Sequence, residues 1–110
     1  MVLTMNRGDI YWVNLDPTQG AEIKKLRPCV IVSAKPINLA RHTVVVIPLS
    51  SSATARPPLV VAVCGLTKAS FAVCDQIRAV DKSRLVKKDG QLSLKDLSEL
   101  ENSLRCILAL

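Results

Sequence analysis

The apolar residues of this chain come in short β-branched runs, and that pattern limits the fold more than any other feature. Residues 9–15 (DIYWVNL), 28–33 (PCVIVS), 43–49 (TVVVIPL), 59–64 (LVVAVC) and 70–74 (SFAVC) are each bounded by Pro, Gly or polar clusters. Branching at Cβ restricts χ1 in a helix and suits an extended backbone, so these runs predict strands. Their boundaries carry turn chemistry: Asp16-Pro17 ends the first, and residues 50–58 (SSSATARPP) form a hydroxyl-rich loop stiffened by two prolines. Residues 28–33 are apolar at nearly every position, which predicts burial on both faces. Residues 36–41 suffice only for a helical turn, and residues 65–68 (GLTK) read as a turn between two strands. Residues 77–86 alternate imperfectly and read as a last, partly exposed strand, followed by a charged turn at residues 87–90 (KKDG).

The end of the chain has a different period. Leu94, Leu97, Leu100, Leu104, Ile107 and Leu108 recur at helical spacing and form one apolar stripe. Ser93, with Asp96 three residues on, fits a helix start, although Asp reaches back less well than Glu. The stripe must cover something. The expectation is a mainly β fold, a small barrel or curled sheet of five to six strands plugged by a C-terminal α-helix. At 110 residues the chain is one domain over residues 1–110, with residues 1–6 as a loose N-terminal extension and Met5 an alternative start.

Composition narrows the function. Hydrophobic residues make up 49%, yet the aromatics are Tyr11, Trp12 and Phe71 alone, so the core is aliphatic and there is no supply of base-stacking platforms. The net charge is +6; the last eighteen residues carry −1 and the first 92 carry +7. Such an excess suits an anionic partner, nucleic acid or acidic peptide, and equally a plain solvated surface. Cys29, Cys64, Cys74 and Cys106 lack metal-ligand spacing, and three sit in apolar runs, so they are expected to be reduced and mostly buried. No basic leader with a long apolar stretch and no membrane-length run is present, which predicts a soluble cytoplasmic protein.

With His42 as the single histidine, RNA cleavage by a histidine pair is excluded, and no P-loop or two-metal carboxylate pattern occurs. Any catalysis falls to Arg, Ser, Asp and Glu. Arg27 precedes Pro28, which holds it extended, and a guanidinium offers phosphate a planar, permanently charged fork. Spacing alone favours a plain surface arginine. Ser50 and Ser51 present hydroxyls at a strand end, or a flexible serine-rich connection. Asp75 and Gln76 present a carboxylate and an amide suited to a base edge, or belong to a strand-end salt-bridge cluster with Arg78 and Asp81.

Three ordered segments carry more than spacing. RGDIYWVNLDPTQGAE (residues 7–22) followed by RPCVIVS (27–33), VIPLSS (46–51) and CDQIRAVDKSRL (74–85) resemble the MazF/PemK family of toxins. The resemblance implies an SH3-like barrel with a terminal helix, a homodimer, and cleavage of single-stranded RNA at short preferred sequences. It implies no metal or other cofactor, and products ending in a 2′,3′-cyclic phosphate and a 5′-hydroxyl. By analogy Arg27 stabilises the transition state and Ser50 positions the phosphate, while Glu22, Ser51, Asp75 and Gln76 line the RNA groove. The resemblance also implies a MazE-like antitoxin with an acidic disordered tail.

Ala21 stands where some members carry His, and Val73 where some carry Arg, so a His/Arg acid–base scheme does not transfer. Ile23, Lys24 and Lys25 also depart from the pattern, which leaves the cleaved sequence unassigned. The alternative is the same barrel without catalysis, or one directed at gyrase. Gyrase-inhibiting relatives use a C-terminal Trp tail, whereas this chain has Trp12 alone.

Overall fold

The computed structural model describes residues 5–64 and 70–110, and the turn expected at residues 65–68 lies outside them. Seven strands form: β1 (Asp9–Asn14), β2 (Leu26–Ile31), β3 (Thr43–Ser50), β4 (Val60–Val63), β5 (Ser70–Val73), β6 (Arg78–Asp81) and β7 (Leu85–Gln91). Helix α1 (Lys35–Ala40) is short, and α2 (Leu94–Leu108) ends the chain. All pairings are antiparallel, in the order β4-β5-β3-β2-β1-β7, with β6 also on β3. Among the described residues pairing does not run from β4 round to β7, so the sheet is curled and barrel-like without being closed. No helix among the described residues is long and apolar enough to cross a membrane.

The central strands bury both faces, as the unbroken apolar run of β2 predicts. Tyr11, Val13, Cys29, Ile31, Val44, Val46 and Val80 share one cluster. Their neighbours Ile10, Val30, Ile47 and Leu49 point the other way, into a second cluster with Ala72, Cys74 and Leu100. Helix α2 covers that second cluster: Leu97 and Leu100 are buried, while Leu104 and Ile107 pack at its margin. Leu94 and Leu108 fall outside the covering face and are exposed. The helix starts as expected, with the Ser93 hydroxyl accepting from the Asp96 N–H at 3.1 Å. The Asp96 carboxylate turns away and accepts instead from the Cys64 N–H at 2.8 Å, fastening the helix start to the end of β4.

Several expectations are corrected. There are seven strands where five to six were expected, because the single strand over residues 77–86 breaks. A 3-10 turn at Lys82–Arg84 separates β6, on β3, from β7, on β1. The Asp81 carboxylate accepts from the Ser83 N–H at 2.9 Å, and hydrogen bonding to Ser83, from its side chain first and its backbone second, holds the Asp81 pKa below the usual value. Residues 87–90 are strand and not turn, since β1 supplies cross-strand partners for their charges. Lys88 Nζ lies 3.5 Å from the buried Asp9 carboxylate, and Trp12 Nε1 donates to Asp89 at 3.1 Å. Of the extension expected at residues 1–6, residues 1–4 lie outside the described residues, and Met5 and Asn6 are tied to the fold. Met5 is buried, its carbonyl accepts from the buried Asn38 amide at 2.9 Å, and the Asn6 N–H donates to Asp9 at 2.9 Å.

All four cysteines are free, but only Cys29 and Cys74 are buried. Burial pushes the Cys29 thiol up to about 12, against the opposing effect of Arg78. It pushes Cys74 up to about 11, against a hydrogen bond from Ser103. Only the thiolate attacks a disulfide reagent. At pH 8 we therefore expect two thiols, Cys64 and Cys106, to react with an aromatic disulfide in the folded protein, and four after denaturation. Four fast thiols in the folded state would contradict the burial of β2 and of the residue following β5.

Candidate active site

The site is built where the ladder on one edge of β3 is interrupted. β5 pairs with β3 through Leu49↔Ala72 and Ser50↔Phe71, and β6 resumes through Val46↔Arg78. Between them Ile47 and Pro48 stand opposite five residues, Val73 to Ile77. The three-residue excess is taken up by a 3-10 turn at Cys74–Gln76. Pro48 has no N–H to give a ladder, and an interruption is where a strand tolerates proline. The turn carries Asp75 and Gln76 out of the sheet toward the loop between β1 and β2.

That loop, residues 15–25, is closed at its base by the Leu15 N–H donating to the Lys25 carbonyl at 3.0 Å. Arg78 Nη1 donates to the Leu15 carbonyl at 3.4 Å, and Arg84 Nη1 donates to the carbonyls of Asn14 and Asp16. Within the loop the Gln19 N–H donates to Glu22 Oε1 at 2.6 Å. Gln76 reaches across: its Oε1 accepts from the Ile23 N–H at 2.8 Å, and its Nε2 donates to the Ala21 carbonyl at 3.4 Å.

A cavity of about 380 Å³ opens between loop and turn. Glu22, Asp75, Gln76 and Arg78 supply its polar groups, and Leu15, Ile23, Pro48 and Ile77 its apolar walls. Three of the six residues singled out in the sequence, Glu22, Asp75 and Gln76, therefore meet here. Arg27, Ser50 and Ser51 do not line the cavity but stand beside it. β2 and β3 pair through Cys29↔Pro48, with Arg27 two residues before Cys29 on β2 and Ser50 two residues after Pro48 on β3. Strand alternation puts Arg27 on the same side of β2 as Cys29 and Ser50 on the same side of β3 as Pro48.

Arg27 donates through Nε to the Lys24 carbonyl at 3.3 Å, which leaves both terminal nitrogens without a protein partner among the described residues. Ser50 Oγ accepts from the Ser52 N–H at 3.3 Å, and Ser51 is exposed. The arrangement sets a forked cation and a hydroxyl beside a pocket carrying two carboxylates and an amide. It is suited to holding a phosphodiester at the strand ends with an adjoining polar group in the pocket. Spacing along the chain missed the walls, since Ile23, Pro48 and Ile77 come from three separate segments. Counting the pairing register forward from the apolar runs is the one signal that would have found Pro48.

A family model described as "PemK-like, MazF-like toxin of type II toxin-antitoxin system" matches residues 6–108. The chain is 32% identical over 115 residues to Endoribonuclease MazF9 of Mycobacterium tuberculosis, covering 96% of this chain and 98% of that one. Its fold is similar to the crystal structure of MazF from Deinococcus radiodurans, with a TM-score of 0.89 at 22% identity over 99% of this chain and 100% of that one. It is also similar to an endoribonuclease from Mycobacterial species solved in complex with its cognate antitoxin, with a TM-score of 0.80 at 21% identity over 99% and 97% of the two chains. Sequence pattern and barrel agree over nearly the whole length, and the chain belongs to the PemK-like, MazF-like toxin family of type II toxin–antitoxin systems.

Proposed function

We propose that this protein is an endoribonuclease that cuts single-stranded RNA through the substrate's own 2′-hydroxyl. The observation that supports the reading is that Arg27 and Ser50 each stand two residues beyond the Cys29↔Pro48 pair on neighbouring strands, the Arg27 terminal nitrogens having no protein partner among the described residues. The 2′-oxygen attacks the adjacent phosphorus, the bond from phosphorus to the 5′-oxygen breaks, and the proton lost by the 2′-hydroxyl is balanced by one gained at the 5′-oxygen. The products are a 2′,3′-cyclic phosphate and a 5′-hydroxyl. Such a reaction asks the protein mainly for in-line placement and for neutralisation of the growing negative charge. Arg27 supplies the charge, Ser50 holds a phosphate oxygen, and Glu22, Ser51 and Asp75 contact the flanking nucleotides.

The reading includes a cytoplasmic homodimer and an antitoxin with an acidic tail. The excess of positive charge supports such a partner, and the similar mycobacterial endoribonuclease was solved with its cognate antitoxin. The test is a long single-stranded RNA incubated with pure protein in EDTA, with both new ends mapped. We expect cuts at one recurring short sequence, cyclic phosphate upstream and 5′-hydroxyl downstream. RNA left intact by protein shown to be folded would reject the proposal.

A further inference from the structure

Resting on that nuclease reading, we propose that Gln76 is a positioning residue that sets Arg27 through the loop between β1 and β2, and not a reader of RNA bases. A side-chain amide reads a base edge by offering one donor and one acceptor side by side. Each group of Gln76 already makes one bond to the loop, Oε1 with the Ile23 N–H and Nε2 with the Ala21 carbonyl, so turning the amide onto a base edge would break both. The first bond fixes which way the amide lies, because a main-chain N–H can only donate.

The contact continues to the reacting centre. Ile23 is followed by Lys24, whose carbonyl receives the Arg27 Nε–H. Gln76 thus holds the peptide unit between Glu22 and Ile23, and the unit between Lys24 and Lys25, two further along, holds the guanidinium that is to meet the phosphate. Arg78 and Arg84 fasten only the base of the loop, at Asn14, Leu15 and Asp16. Gln76 grips the far half of the loop from 53 residues away in sequence. The 3-10 turn that interrupts the β3 ladder is what lifts Gln76 to that height.

Two variants test the assignment. Gln76→Ala removes both bonds. Gln76→Glu keeps the size and the acceptor for Ile23 but loses the donor to Ala21, and serves as the second measure should the alanine variant fold poorly. On a long RNA we expect Gln76→Ala to lower kcat by roughly tenfold at every cut site, as losing two net hydrogen bonds permits. KM and the preferred sequence stay unchanged, and Gln76→Glu shows a smaller common loss. Hydrogen exchange at the Ile23 amide should speed up by a similar factor in Gln76→Ala, a change that a base reader would not produce. A shift in the bases preferred around the cut, with Ile23 exchange unaltered, would overturn the inference in favour of direct reading. Wild-type protein that leaves RNA intact overturns the nuclease reading itself, whereas an active wild type with an unimpaired Gln76→Ala overturns this inference alone.

Discussion

Arg27→Ala slows RNA cleavage by at least about a hundredfold and hardly moves the melting temperature. The magnitude is that of removing one preorganised charge contact to a transition state, about 3–4 kcal/mol. The small effect on folding follows from how little Arg27 does for the barrel. It is half-buried at the start of β2 and makes one long hydrogen bond, to the Lys24 carbonyl at 3.3 Å. Arg27→Lys keeps the charge but not the fork, so it recovers only part of the rate. Ser50→Ala also slows cleavage, and because both side chains act on one phosphate, the double variant loses less than the product of the two single losses. Single-turnover rates on a short RNA, with thermal melts beside them, decide the matter. A full-rate Arg27→Ala enzyme would remove Arg27 from the chemistry.

The second large effect concerns stability. Leu100→Ala empties a position with no solvent exposure in the cluster between the sheet and α2. Such truncations cost about 2–5 kcal/mol, the lost transfer energy plus the cavity left behind. For a domain of this size the loss corresponds to a drop in melting temperature on the order of 10–20 °C. Leu94→Ala, one end of the same leucine pattern but 86% exposed, should cost less than about 0.5 kcal/mol. Denaturant unfolding of both variants tests which leucines cover the sheet. Equal losses at 94 and 100 would mean that a second copy of the chain covers Leu94.

These two leucines also mark how far the sequence could be read. Periodicity identifies α2 and Ser93 its start, because helix period and capping are local. Which part of the stripe is covered depends on the angle at which the helix meets the sheet, and no spacing encodes that. β2 was legible because Pro28 forces extension at Arg27 and the residues after it are apolar on both faces. β7 was not, because Lys87 to Gly90 have turn chemistry locally and become strand only through pairing with Tyr11 and Trp12, more than seventy residues earlier. Of the polar candidates, Asp75 and Gln76 were legible as a carboxylate and an amide at a strand end and Glu22 came from the family resemblance, and the fold brings them to one cavity. That Gln76 spends its amide on the loop was invisible, since its partners are main-chain atoms of Ala21 and Ile23, which any side chains would supply.

The 3-10 turn at Cys74–Gln76 lies between two ladders that each keep their own register with β3. A residue gained or lost in such a turn changes what faces the loop without sliding either ladder, and no buried side chain is forced to the wrong side. The scaffold can therefore stay constant while the turn diversifies. Selectivity toward new targets becomes accessible through small insertions and deletions at one spot, each tolerated by the barrel beneath.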